Sequence, residues 1–467
     1  MLKTVFRRLL FASTCLTILV GAVALAQDRG TDASTRLDSI LAAAFGPEAP
    51  GAAVIIVQEG RTVLRKGYGL ANLETKTPMR PDMVLQIGSV TKQFTSTAIL
   101  MLLEQGKLSL DDEIWQYFPD YPSRGAKITI EHLLTHTSGI KSYTNDSKWP
   151  TLWREDLTPQ QVIDLTKDSP LEFAPGSKWN YNNTGYTMLG AIIEKVSGQS
   201  YAEFVRRYIL EPAGMSRTLY GSLTQIIPNR AAGYTRGTQG WENAPYLSMT
   251  QPYSAGALMS TVDDLALWDA AVSSGKLVSD TLWQRAFAGF KLASGEHTYY
   301  GYGWQLDEYQ GRKVIHHGGG IPGYASESLR MPQERVYVAI LANSDDPPTD
   351  LDFLATILAA EVIGQPYREP TRIKLPDAVL EGYVGLYRID ENSIRTITRE
   401  GGRLFMQRTG APKYEIHASA EGEFFRPKSF QRLSFVKDAS GKYVELVSRT
   451  GNHREVAHRV TAPVRRP

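Results

Sequence analysis

Between residues 51 and 74 the chain reads GAAVIIVQEGRTVLRKGYGLANLE, two β-rich runs joined at Gln58-Glu59-Gly60. That pattern predicts a β-hairpin. From Ser89 to about Gln105 the apolar positions run on without proline and predict a long helix. Shorter helical patterns follow near residues 130–136, 158–167, 184–197 and 201–209. STVDDLALWDAAVSSG opens with Thr261 three residues before Asp264, a helix-capping pattern, and stops at Gly275. Strand patterns return in YGYGWQL, RKVIHHGG, ASESLRM and RVYVAILAN, and a last helix spans about Asp350 to Ile363. Strands at both ends with helices between predict an α+β fold. One antiparallel sheet is sealed by its terminal strands and flanked by helices and a helical subdomain.

The texture then changes. GQPYREPTRIKLPDAV is rich in proline and charge and predicts a linker over residues 366–379. Beyond it, LEGYVGLYRI, SIRTITRE, RLFMQR, YEIHAS, EFFRP, QRLSFVK and KYVELVS alternate and are separated by Gly, Asn and Asp. Residues 380–467 are therefore expected to form a small all-β domain, a barrel or a sandwich. The first domain is expected over residues 27–365.

A chain of 467 residues with 42% hydrophobic and 10% aromatic residues has enough apolar material for two cores and is not disordered. Residues 1–26 read as a secretory signal peptide, with Lys3, Arg7 and Arg8 ahead of an apolar run and Ala24-Leu25-Ala26 as the cleavage signal. An uncleaved anchor is the alternative. The expected location is periplasmic or secreted, without stable membrane insertion. Cys15, the one cysteine, lies inside that signal, so the mature chain has no disulfide, thiol nucleophile or cysteine-bound metal. The net charge of +2 hides an asymmetry: the signal carries +3, residues 371–467 carry +7, and residues 27–370 carry −8. A basic tail on an acidic body suits packing against a neighbouring subunit, or is simply solvated surface. Nothing points to nucleic acid.

Candidate chemistry starts from S-x-x-K, which occurs at Ser89/Lys92, Ser138/Lys141, Ser273/Lys276 and Ser434/Lys437. A serine hydroxyl needs a nearby base, and on a helix positions i and i+3 share a face. Ser138/Lys141 straddles Gly139 in a turn, Ser273/Lys276 meets Gly275 at a helix end, and Ser434/Lys437 lies on a strand that sends the two to opposite faces. Ser89 alone precedes an uninterrupted helix, where free N–H groups favour negative charge. A plain N-cap serine is the competing reading, and local sequence leaves the two level.

Two further motifs bear on the choice. FAPGSKWNYNNTGY supplies Tyr181-x-Asn183 ahead of a helix, with Tyr143-x-Asn145 as a decoy; IHHGGGIPGY supplies His317-x-Gly319, with His316-x-Gly318 as a register rival. With LLTHTSGI and SAGALMSTVDDLALW, this ordered set resembles the penicillin-recognising serine hydrolases, particularly their class C β-lactamase-like branch, over roughly residues 36–363. The resemblance implies a serine hydrolase acting through an acyl-enzyme on amide or ester bonds, most naturally in short or D-amino-acid-containing peptides. A carboxylesterase, a weak β-lactamase and an inactive scaffold are the alternatives. It implies Ser89 as nucleophile, Lys92 as its base and Tyr181 as proton shuttle. It also implies Asn183 positioning Lys92 and substrate, His317 and Gly319 binding substrate on a strand, and the N–H groups of Ser89 and Gly320 as oxyanion hole. Neither cofactor nor metal is implied. A cluster of cationic groups in a semi-buried site would depress the pKa of Lys92 or Tyr181 through like-charge repulsion and desolvation. Where the family often has lysine this chain has His317, expected to titrate near neutrality and to hold a substrate carboxylate in a pH-dependent way. His316 is given no role, and His136 and Ser138 are read as stabilising a turn. From about Leu380 the tail resembles the lipocalin-like barrel appended to some family peptidases, implying a possible homo-oligomer and restricted access.

Overall fold

The computed structural model describes residues 34–460 apart from 123, 223 and 452. The residues read as a signal peptide lie outside that range. The predicted hairpin forms as β1 (Ala52–Gln58) and β2 (Arg61–Tyr68). The long helix is α1 (Thr91–Glu104), preceded by a 3-10 turn at Gly88–Val90. Helices α2 (Asn183–Ser197) and α3 (Val262–Ser273) follow, and the side chain of Thr261 caps the latter. The returning strands are β3 (Gln305–Tyr309), β4 (Arg312–Ile321), β5 (Tyr324–Met331) and β6 (Val336–Ala342), and α4 (Leu351–Val362) closes the region. They build one antiparallel six-stranded sheet in the order β3-β4-β5-β6-β1-β2.

Alternation along the central strands explains their unbroken apolar runs. Ala52, Val54 and Ile56 of β1 face a core shared with Leu37 and Leu41 of the helical residues 34–44 and with Leu354 and Leu358 of α4. Ala53 and Ile55 face the opposite core, with Leu265 and Trp268 of α3 and the helical subdomain. A strand covered on both faces needs apolar side chains at every position. Helix α1 is buried from Thr91 to Leu102 on every side, so its polar residues must find partners inside. Thr95 Oγ1 donates to the Ser254 carbonyl at 2.6 Å, and Gln93 Oε1 accepts from Trp268 Nε1 at 2.8 Å. Helix Asp280–Ala286 and a small sheet of Leu85–Gln86, Leu258–Ser260 and Leu219–Tyr220 were not anticipated.

The tail corrects one expectation. The first half of LEGYVGLYRI is not a strand but the end of helix α5 (Asp377–Tyr383). Leu380 and Tyr383 lie one turn apart and both enter the barrel core, the spacing of a helix face. Eight strands then close into an antiparallel barrel: β7 (Gly385–Arg388), β8 (Ile394–Glu400), β9 (Arg403–Arg408), β10 (Tyr414–Ala420), β11 (Glu423–Phe425), β12 (Arg432–Lys437), β13 (Tyr443–Thr450) and β14 (His453–Val460). Pairing of β7 with β14 closes the ring and leaves no free edge. The segment between β11 and β12 reaches the first domain: the Phe430 ring lies 5.6 Å from Tyr309, 4.9 Å from Phe353 and 5.4 Å from Tyr367.

Candidate active site

Ser89 sits in the 3-10 turn ahead of α1 and makes no capping hydrogen bond. Gly88 makes that turn possible. Its φ is +47°, and a Cβ there would lie 2.9 Å from the Gly320 nitrogen on β4. The turn thus presses directly on the glycine run of the strand, as only a residue without a side chain allows. At Gly319 a Cβ would collide with the Ile87 carbonyl, whereas at Gly320 it would point into open space. Ser89, Tyr181, Asn183, His317, Gly319 and Gly320 all line one open cavity of about 850 Å³.

Lys92 lies behind Ser89 and is fully buried. Its Nζ is 3.0 Å from Ser89 Oγ, 2.8 Å from Asn183 Oδ1 and 2.8 Å from the Ala255 carbonyl oxygen. Burial holds its pKa well below the usual lysine range. A neutral amine has two N–H donors and one lone pair, which matches two carbonyl acceptors and one hydroxyl donor. Of the two causes expected from sequence, desolvation supplies this shift and like-charge repulsion contributes nothing resolved. The Tyr181 and Tyr186 rings flank the amine at 4.8 and 5.3 Å.

Asn182 caps α2, its side chain accepting from Gly185 N at 2.7 Å, and so delivers Asn183 to the first turn. Asn183 Nδ2 donates to Thr144 Oγ1 at 3.1 Å, which turns its carbonyl oxygen toward Lys92. Burial pushes the Tyr181 phenol up. The Tyr181 hydroxyl is itself buried without a hydrogen-bond partner among the described residues. Tyr181→Phe is therefore expected to lower kcat by roughly 10²- to 10⁴-fold, the range of a lost proton relay. Its Tm should stay level or rise, because no hydrogen bond is lost. Parallel measurements of kcat and thermal unfolding check this: a fall in Tm with unchanged kcat would make Tyr181 a structural ring.

His317 departs from expectation. It is 1% exposed, and burial above all lowers its pKa to about 3. It is therefore neutral throughout the physiological range and does not hold a carboxylate by a titrating charge. Nδ1 donates to the Gly318 carbonyl at 2.6 Å, and Nε2 accepts from the Tyr300 hydroxyl at 2.8 Å, so both ring nitrogens are engaged. His316, the register rival, turns to the other side of β4. Its Nδ1 lies 3.2 Å from Glu327 and 3.5 Å from Asp352. Burial would lower its pKa, but the Asp352 and Glu327 carboxylates outweigh it and raise it to about 9.

The other candidates are engaged elsewhere. Ser138 Oγ accepts from Ile140 N at 3.3 Å, and Lys141 pairs with Asp146 at 2.9 Å. Ser273 Oγ accepts from Arg330 at 2.6 Å, and Ser434 donates to Glu423 at 2.7 Å. Tyr143 donates to the Gln251 carbonyl at 3.0 Å. His136 does more than brace a turn. Its Nδ1 accepts from Asn182 N at 3.1 Å, and its ring packs on Tyr181 at 4.4 Å and Tyr300 at 4.5 Å, supporting the wall behind the phenol. Sequence reading missed Tyr300, and it missed the Ala255 carbonyl, for which a backbone acceptor leaves no residue-type signal.

Among the described residues no group of three or more His, Cys, Asp or Glu is arranged to hold a metal, and no helix is long and apolar enough to cross a membrane. Comparison with known proteins places the geometry in context. Residues 37–362 match the beta-lactamase family. A penicillin-binding protein of Bacillus subtilis (strain 168) is 30% identical over 400 residues, covering 80% of this chain and 87% of the relative. A D-aminopeptidase of Gluconobacter oxydans (strain 621H) is 28% identical over 346 residues, covering 72% of this chain and 63% of the relative. Among solved structures, an octameric penicillin-binding protein homologue from Pyrococcus abyssi superposes with TM-score 0.66 at 27% identity, covering 90% of this chain and 99% of that one. That superposition extends past the sheet into the barrel. With a family match spanning most of its length, this chain belongs to the beta-lactamase family of serine hydrolases.

Proposed function

We propose that the protein is an exported serine hydrolase that forms an acyl-enzyme at Ser89 and acts on short peptides containing D-amino acids. The observation that carries this reading is the fully buried Lys92 amine, its pKa held well below the usual lysine range, 3.0 Å from the Ser89 hydroxyl. In the acylation step Ser89 Oγ adds to the carbonyl carbon while its proton passes to Lys92 Nζ. The oxyanion is received by the N–H groups of Ser89 and Gly320. Tyr181 then relays the proton to the leaving nitrogen as the C–N bond breaks. Its raised pKa keeps it a neutral phenol, so it donates one proton as it accepts another. Water next attacks the Ser89 ester, its proton returns through Tyr181 and Lys92, and the acid leaves with Ser89 restored. Asn183 keeps the Lys92 lone pair on the serine by occupying one N–H.

The peptide preference rests on the D-aminopeptidase relative, and an oligomer assembled through the barrel rests on the octameric homologue. The test uses the mature chain with a fluorescent penicillin, a fluorophosphonate, nitrocefin, a p-nitrophenyl ester and D-amino-acid peptides. Covalent labelling with peptide turnover is expected. Turnover of the ester alone would replace this reading with a carboxylesterase, and turnover of nitrocefin in preference to peptides with a β-lactamase. Absence of both labelling and turnover leaves an inactive scaffold.

A further inference from the structure

The cavity that holds Ser89 is not built by the catalytic region alone. Arg426, from the barrel segment between β11 and β12, lines it together with Ser89, Trp179 and His317. Among the described residues lining that cavity, Arg426 is the one lysine or arginine. The two basic groups of the catalytic region are withdrawn from an incoming anion: Lys92 is fully buried behind the cavity wall with its amine held by Asn183 and Ala255, and His317 is buried with its pKa lowered to about 3. A substrate carboxylate entering this site therefore meets one formal positive charge. That charge comes from the other domain.

Arg426 is also poised rather than spent. It is exposed and forms no ion pair among the described residues. Its guanidinium lies 4.5 Å from the centre of the Tyr414 ring, which steadies the side chain without neutralising it. Its segment is anchored on the C-terminal side. Phe430 is wedged among Tyr309, Phe353 and Tyr367, and Arg432 Nη2 donates to the Tyr367 hydroxyl at 3.2 Å. Acidic residues on the same wall leave it free. Glu327 and Asp352 face His316, and Asp350 caps α4 by accepting from Asp352 N at 3.1 Å.

We propose that Arg426 is a specificity-determining residue by which the barrel binds the carboxylate of the substrate at the mouth of the active site. Planar guanidinium and carboxylate groups pair through two parallel N–H···O bonds, so the preferred substrates are short peptides with a free C-terminal carboxylate. This rests on the hydrolase reading above, and the experiment separates the two. The full chain, Arg426→Gln and Arg426→Lys are compared on three substrates: a D-amino-acid peptide with a free carboxylate, the same peptide amidated, and a neutral p-nitrophenyl ester. In Arg426→Gln the KM for the free-carboxylate peptide is expected to rise about tenfold. Values for the amide and the ester should be unchanged, and Arg426→Lys should recover part of the loss. Added salt should weaken only the free-carboxylate substrate. A uniform change on all three substrates, or none, would overturn the role of Arg426, as would a wild type that does not distinguish acid from amide. Failure of wild type on all three substrates would instead remove the hydrolase reading.

Discussion

Ser89→Ala should lower kcat by about four orders of magnitude or more and abolish covalent labelling, while Tm changes little. The asymmetry follows from the surroundings of the side chain. Ser89 is half-buried, caps no helix and has one short contact, to Lys92, so its removal costs about 1 kcal/mol of stability. Among the four S-x-x-K copies it alone has its hydroxyl against a fully buried lysine amine of lowered pKa. Intact-mass analysis after exposure to a fluorophosphonate checks this directly. A single adduct on wild type and none on the variant is expected, and an adduct surviving on Ser89→Ala would move the nucleophile elsewhere.

Lys92→Met should cost roughly 10³- to 10⁴-fold in kcat, and it has a second signature in stability. The unfolded chain binds a proton at Lys92 up to the ordinary lysine value of 10.5, while the buried residue does not. Between its lowered folded pKa and 10.5, folding therefore expels one proton. The wild type loses stability from this group as pH falls, by about 1.4 kcal/mol per pH unit, and regains it as pH rises toward 10.5. Methionine has nothing to titrate. The difference in unfolding free energy, wild type minus Lys92→Met, should climb with that slope from the lowered folded pKa of Lys92 up toward 10.5. Because the other titrating groups, His316 and Glu327 among them, are common to both chains, they cancel in the difference. Parallel curves would mean that Lys92 is protonated when folded and cannot take the serine proton. Turnover should likewise fall as pH drops through the lowered pKa of Lys92.

Much of the fold was legible because the central strands and α1 announce themselves through long apolar runs. The candidate site was legible for a different reason: Ser89, Lys92, Tyr181 and His317 stand in short motifs whose backbone context separates them from decoys. What stayed hidden depends on distant packing. The charge state of His317 follows from its burial beside Lys92, and no residue near 317 in sequence signals it. LEGY reads as strand by its Leu and Tyr content, yet the helix that begins after Pro376 runs through it and puts Leu380 and Tyr383 into the barrel core. Arg426 lies in a short loop of an unrelated domain, where sequence shows an ordinary surface arginine.

The position of β1 within the sheet has a consequence for how the protein is made. Gly51 N donates to Asn343 Oδ1 across 292 residues of chain, and β1 pairs along its length with β6. The hairpin emerges early from the ribosome but has no partner on that edge until β6 follows, and the wall of the site, β4, arrives only shortly before. Contacts this distant in sequence form slowly, because a long loop must close before they are rewarded. Ser89 and Lys92 are thus synthesised long before the pocket that buries the lysine. Lys92 acquires its lowered pKa late, after nearly the whole first domain has been made and folded around it.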